Sequence, residues 1–171
     1  MTWLRALIKF AGMAIRKTYD IGWRPLKLMT LASANVASVL QPAGLEKSVG
    51  IISTNFLKNP SDAQWNNDAT TKEWLTWMKR YYPEGNLADV FNVAGYSYGQ
   101  ALVEILKRCG DDLTRENVMK QATSLKNIEL PMFLPGVKIT TSPTDYRIVK
   151  QLQLMRFDGK QWILFGDVMG D

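Results

Sequence analysis

Two short stretches carry side chains able to hold a small polar molecule. Leu31-Ala32-Ser33-Ala34-Asn35 sets a hydroxyl and a carboxamide two residues apart, just after Leu26–Leu31, a short apolar run bounded by Pro25 and Ser33. Such a run reads as a buried strand. In open α/β sheets ligands bind beyond the carboxyl ends of strands, and a helix starting there adds unpaired backbone N–H groups. Ser33 and Asn35 also suit a helix N-cap, so capping competes with ligand binding at each. The second stretch, Phe91 to Tyr98, gathers aromatic and small residues near a helix start. Tyrosine joins an apolar ring to a polar tip, which suits small-molecule pockets. Tyr96 reads equally as pocket lining or core, Phe91 is a further candidate contact, and Tyr98 reads as core.

Other chemistry finds little support. The chain has no histidine and one cysteine, Cys109. It therefore lacks the commonest general base and metal ligand, and it cannot close an internal disulfide. Cys109 follows Lys107-Arg108 at an expected helix end and reads as an inert structural thiol. No phosphate-binding glycine loop occurs, and Asp20 and Asp111-Asp112 make no acid–base dyad. No catalytic residue, metal site or cofactor is expected. Trp74 and Trp77, three residues apart, read as packing on one helix face rather than as a ligand platform. The 21 basic and 16 acidic residues give a net charge of +5. They are interleaved along the chain, which argues against a nucleic-acid arm. No apolar run is long enough to cross a membrane, and residues 1–10, broken by Arg5 and Lys9, do not read as a signal peptide.

The elements that must position these groups follow from periodicity. Residues 4–19 predict an amphipathic helix with Leu4, Leu7, Ile8, Ala11, Ala14 and Ile15 on its stripe, stopped by Gly22. Strands are expected at 26–31 and 49–56, with a helix from Ser33 or Asn35 to Leu40 between them. Further helices follow at about 70–82, started by a Thr70/Glu73 capping box, at 89–108, and at 115–125. Residues 128–143, with Pro131, Pro135, Gly136 and Pro143, read as loop. Two β-like runs at 150–157 and 160–165, joined by Asp158-Gly159, predict a hairpin with a type I′ turn. The order is α/β with parallel strands. Two parallel strands make too small a sheet, and the first helix lacks a strand before it. The sequence thus reads as the later part of something larger, or as a chain whose sheet is completed by a partner.

Several segments taken in order resemble one family. Phe10-Ala11-Gly12-Met13-Ala14-Ile15-Arg16-Lys17-Thr18-Tyr19-Asp20-Ile21-Gly22-Trp23 is similar to a helix of the leucine/isoleucine/valine-binding receptors of ABC importers. Pro42-Ala43-Gly44-Leu45-Glu46, Ser48-Val49-Gly50-Ile51, Lys79-Arg80-Tyr81-Tyr82-Pro83-Glu84-Gly85, Gly95 to Leu102, Cys109 to Met119 and Leu154 to Gly159 extend the likeness over about residues 9–169. The resemblance implies a type I periplasmic-binding fold, two α/β lobes joined by crossovers with a solute in the cleft, and here only its C-terminal part. Residues 1–85 would be a partial second lobe, residues 86–130 helices returning to the first lobe, and residues 131–171 a crossover and hairpin. It implies a non-enzymatic solute-binding component, or a truncated remnant of one, in the periplasm. The partners would be a small-molecule ligand and a membrane permease, and self-association is also expected. Ser33, Asn35, Tyr96 and Phe91 would contact the ligand. Amino-acid receptors of this kind often carry a carboxylate after the strand, whereas Ser33-Ala34-Asn35 has no acid. An aromatic or other organic acid is therefore a ligand candidate beside the branched-chain amino acids. An alternative is a ligand-sensing or interaction module on the same fold, located in the cytoplasm if the chain is expressed as given.

Overall fold

Apolar side chains recurring every three or four residues bury one face of the first helix, α1 (Ile8–Asp20). Ala11 and Ile15 are fully buried in it, and the Thr18 hydroxyl turns back to the Ile15 carbonyl, while Phe10 and Met13 face outward. The helix ends at Gly22, in the left-handed region at φ +73°. Arg24 then donates Nη1 to the Tyr19 carbonyl at 2.8 Å, satisfying one of the last helical acceptors. The structure, a computed structural model, describes residues 2–4 and 8–170. Leu7, expected on the α1 stripe, lies outside the described residues.

A strand does precede this helix, contrary to the expectation. β1 (Thr2–Leu4) pairs in parallel with β2 (Lys27–Met29), Trp3 opposite Leu28. Leu4 fits a helical stripe by spacing. Yet Thr2 and Trp3 are strand formers, and the unpaired edge of β2 offers them hydrogen bonds that spacing cannot reveal. β3 (Ile52–Asn55) follows in parallel, and β4 (Leu152–Phe157) and β5 (Trp162–Met169) complete a mixed five-stranded sheet in the order β1-β2-β3-β4-β5. β4 runs antiparallel to β3, with Asn55 opposite Gln153 and Ile52 opposite Arg156.

Two compact units divide the chain. The first comprises Met1–Asn55 with Gln153–Asp167, and the second Phe56–Leu152 with Val168–Asp171. The core of the first joins Ala11 and Ile15 to Met29, Leu40, Ile51, Phe157 and Trp162. Between β2 and β3 the expected regular helix is replaced by a tight turn at Leu31–Ser33, a π-helical turn at Val36–Leu40 and the short α2 (Gln41–Ala43). Pro42 explains the wide turn: it has no N–H for the Ser38 carbonyl, and its ring crowds that group. The hairpin also differs from the expected type I′ turn, which needs positive φ at both central residues. Asp158 is not in that region; Asn127 is the one non-glycine residue there among the described residues. Instead the Asp158 carboxylate accepts the Lys160 and Gln161 N–H groups at 2.7 and 2.8 Å, closing a four-residue turn.

The second unit carries three helices, α3 (Ala69–Tyr81), α4 (Val90–Cys109) and α5 (Arg115–Ala122). Asp68, not a Thr70/Glu73 box, caps α3 by accepting the Thr71 N–H, because Thr70 is turned toward Lys58 and the Pro131 carbonyl. Residues 123–151 form no strand, but they are not a surface loop. Leu125, Leu130, Met132, Phe133, Leu134, Val137 and Ile139 are all buried, held by single bridges such as Ile128 with Ile139.

Ile15→Ala is expected to lower unfolding free energy by about 2–5 kcal/mol. Urea denaturation followed by circular dichroism reads this, and a loss below about 1 kcal/mol would contradict the packing described.

Candidate functional site

The parallel strands β1, β2 and β3 end at one edge of the sheet, and the loop leaving β2 lies there. Residues Thr30 to Ala34 form a tight turn, with the Ser33 N–H donating to Thr30 and the Ala34 N–H to Leu31. Ser33 is 1% exposed, so its hydroxyl lies within the unit. Asn35 Oδ1 accepts the Ser38 N–H at 3.0 Å and caps the turn that follows, so the capping role is realised. Between them the Ala34 carbonyl accepts the indole N–H of Trp162 at 3.0 Å. Trp162 also meets Phe157 edge-on at 5.4 Å. Asn55, 7% exposed, stands at the end of the neighbouring strand. The edge thus carries hydroxyl and carboxamide groups, and no charged residue occurs in Thr30–Asn35 or at Asn55.

Sequence reasoning missed Trp162 and Asn55. A tryptophan on the inward face of a strand needs a partner for its N–H, and that signal was available. Nothing local marks Asn55.

The other two candidates belong to the second unit, on α4. Asp89 caps this helix through the Phe91 N–H. Phe91 is half exposed, whereas Tyr96 is half-buried and meets Trp77 edge-on at 5.1 Å. Five residues separate them, so they stand about 140° apart around the helix and share no face. Tyr98, expected in the core, is 44% exposed; it stands about 100° around the helix from the centre of the face formed by the buried Val93, Ser97 and Ala101. Trp74 is fully buried, but Trp77 is not: it joins Tyr81 and Tyr96 in a surface aromatic cluster.

Open cavities lie elsewhere, one of about 490 Å³ beside Trp77 and Tyr81 and two others. One of about 360 Å³ sits at the amino ends of β2 and β3, lined by Tyr19, Arg24, Lys27 and Lys47. Burial, and then the nearby Arg24 charge, lower the Lys27 pKa, while its ammonium donates to the Lys47 carbonyl. The other, about 350 Å³, belongs to the second unit and is lined by Lys58, Thr70, Pro131, Phe133 and Gly136. Here Lys58, 6% exposed, meets both Asp68 oxygens at 3.0 Å. Burial pushes the Asp68 carboxyl up, but hydrogen bonds from Thr70, Lys58 and Thr71 outweigh it and hold the pKa well below the usual range. None of Ser33, Asn35, Phe91 and Tyr96 lines either cavity.

The family model described as periplasmic binding protein matches residues 9–161. Solved structures share the fold at low identity. A branched-chain amino-acid ABC transporter protein of Thermus thermophilus with bound valine is 13% identical, with a TM-score of 0.80 over 99% of this chain and 45% of that one. A substrate-binding periplasmic protein of Ralstonia solanacearum is 18% identical, with a TM-score of 0.78 over 95% and 44%. A leucine-binding protein of Thermotoga maritima is 15% identical, with a TM-score of 0.69 over 98% and 44%. The chain thus spans less than half the length of these proteins. No curated protein sequence matches it.

Asp68→Asn is expected to cost about 1.5–3 kcal/mol at pH 7, the worth of hydrogen bonds to a charged group. The folded-state pKa of Asp68 is depressed, so its contribution is complete above the unfolded value near 3.9 and is lost as pH falls below that. Denaturation midpoints at pH 6 and pH 3 should therefore differ less in the variant than in the wild type; equal differences would refute the assignment. Trp162→Phe, which leaves the Ala34 carbonyl without its donor, is expected to cost about 1–3 kcal/mol in the same measurement.

Proposed function

Because this chain belongs to the periplasmic binding protein family, we propose that it is a solute-binding component of an ABC importer, or a remnant of one. It would act in the periplasm by holding a small organic acid and passing it to a membrane permease, with no bond made or broken. The observation that supports the ligand class is that the polar residues at the ends of β2 and β3, Ser33, Asn35 and Asn55, are uncharged. An amino acid's ammonium asks for a carboxylate or several carbonyls, because a charge removed from water must be matched. Hydroxyl and carboxamide groups both donate and accept, which suits a neutral ring substituent and lets their O–H and N–H groups meet a carboxylate. In this reading Asn35 and Asn55 orient the polar end of the solute. Ser33 contributes through its backbone and hydroxyl to the shape of the loop.

Isothermal titration with leucine and with a panel of aromatic carboxylic acids tests the proposal. Saturable heat with an aromatic acid, weakened at least about tenfold by Asn35→Ala (about 1.4 kcal/mol), is the expected result. Leucine should give no binding tighter than about millimolar. Micromolar leucine affinity would overturn the ligand class, and silence with every solute would overturn binding by this chain.

A further inference from the structure

Cations gather at the amino ends of β2 and β3. Arg24, Lys27 and Lys47 all line the cavity of about 360 Å³ there. Lys27 opens β2 and is only 7% exposed. An ammonium carries three donors, and that of Lys27 gives one to the Lys47 carbonyl at 3.2 Å. Among the described residues, neither Lys27 nor Arg24 forms an ion pair with a carboxylate. A cation removed from water is costly unless a counter-charge meets it. Burial, and then the Arg24 charge, accordingly lower the Lys27 pKa.

The neighbouring groups fix these cations without neutralising them. The Arg24 guanidinium lies over the Tyr19 ring, 4.1 Å from its centroid, and donates to the Tyr19 carbonyl. Lys47 stands 5.4 Å from the same ring and pairs with the exposed Asp20. Glu46 is the one acid in the cavity wall among the described residues. Its Oε1 lies against Gly44, where an added Cβ would meet it at 2.8 Å, and it forms no ion pair with the three cations. We propose that this cavity binds a tetrahedral oxyanion, either free phosphate or the phosphoryl end of a small phosphomonoester, held by Lys27 and Arg24 with Lys47 beside them. A guanidinium fork and an ammonium point charge together suit phosphoryl oxygens. With so little of Lys27 exposed, only a group small enough to enter the cavity can meet its ammonium. The volume is at the low end for small-molecule pockets. The walls all come from residues 19–51 of the first unit. They lie at the opposite ends of the strands from Ser33 and Asn35, so this site is independent of the solute-binding reading.

Isothermal titration of the full chain with sodium phosphate at pH 7, against sodium chloride at equal ionic strength, tests this. The expected result is saturable heat with Kd on the order of 0.1–5 mM for phosphate and none for chloride. Glycerol 3-phosphate separates the two sources: binding at least about tenfold tighter than phosphate points to a phosphomonoester, and equal or weaker binding to the free ion. Lys27→Met removes the charge and should abolish the heat. Its melting temperature without phosphate should rise, because an unpaired buried charge is gone. Arg24→Gln, at an exposed position, should weaken phosphate at least about tenfold and serves even if Lys27→Met fails to fold. No saturable heat with either phosphate compound, equal heat with chloride, or binding unchanged in these variants overturns the proposal.

Discussion

The indole N–H of Trp162 donates to the Ala34 carbonyl, joining residues 128 positions apart. Both groups are buried, so neither can fall back on water if the other is displaced. The carbonyl lies in the middle of Ser33-Ala34-Asn35, and the same indole meets Phe157 edge-on. Phe157 in turn exchanges backbone hydrogen bonds with Gly50 and Ile51 at the start of β3. Holding the loop after β2 therefore means holding the C-terminal hairpin and the entry to β3 as well. The polar edge of the sheet is only as well defined as that closed circuit.

What was legible in the sequence is what is local. Helices α3, α4 and α5 were found within a residue or two at most ends, because apolar spacing and stop signals lie within a few residues of each other. A cap at Ser33 or Asn35 was legible for the same reason, and Asn35 fills it. The five-stranded sheet was only half visible. β1 is three residues long and is defined by its pairing with β2, which no local pattern encodes. Residues 128–143 read as loop from their prolines, yet their aliphatic side chains are buried, and burial is decided by neighbours far along the chain. Tyr98 was misplaced because a helix with two apolar faces does not say which one turns inward. The Trp162 contact to Ala34 leaves no spacing to read at all.

The polar groups of the second unit show a complementary logic. Lys58 is almost wholly buried, and it is tolerable there because Asp68 meets it with two oxygens and Thr70 with a third. The same carboxylate caps α3, so one charge pair fixes both the segment after β3 and the start of a helix. Along α4 the opposite economy operates. Glycine at two interior helix positions costs about 1 kcal/mol each relative to alanine, with no internal contact to offset it.

The first unit is assembled from the two ends of the chain, with Phe56–Leu152 inserted between them. A ribosome delivers residues at about 5–20 per second, so roughly a hundred residues of insertion take about 5–20 s to emerge. Through that interval Ile15, Leu40 and Ile51 have been made, while Phe157 and Trp162, which close over them, have not. The nascent amino-terminal segment must wait with its apolar face open, whereas the inserted helices can fold as they appear. The part of the first unit that precedes the insertion is therefore completed only after the part that follows it has been made.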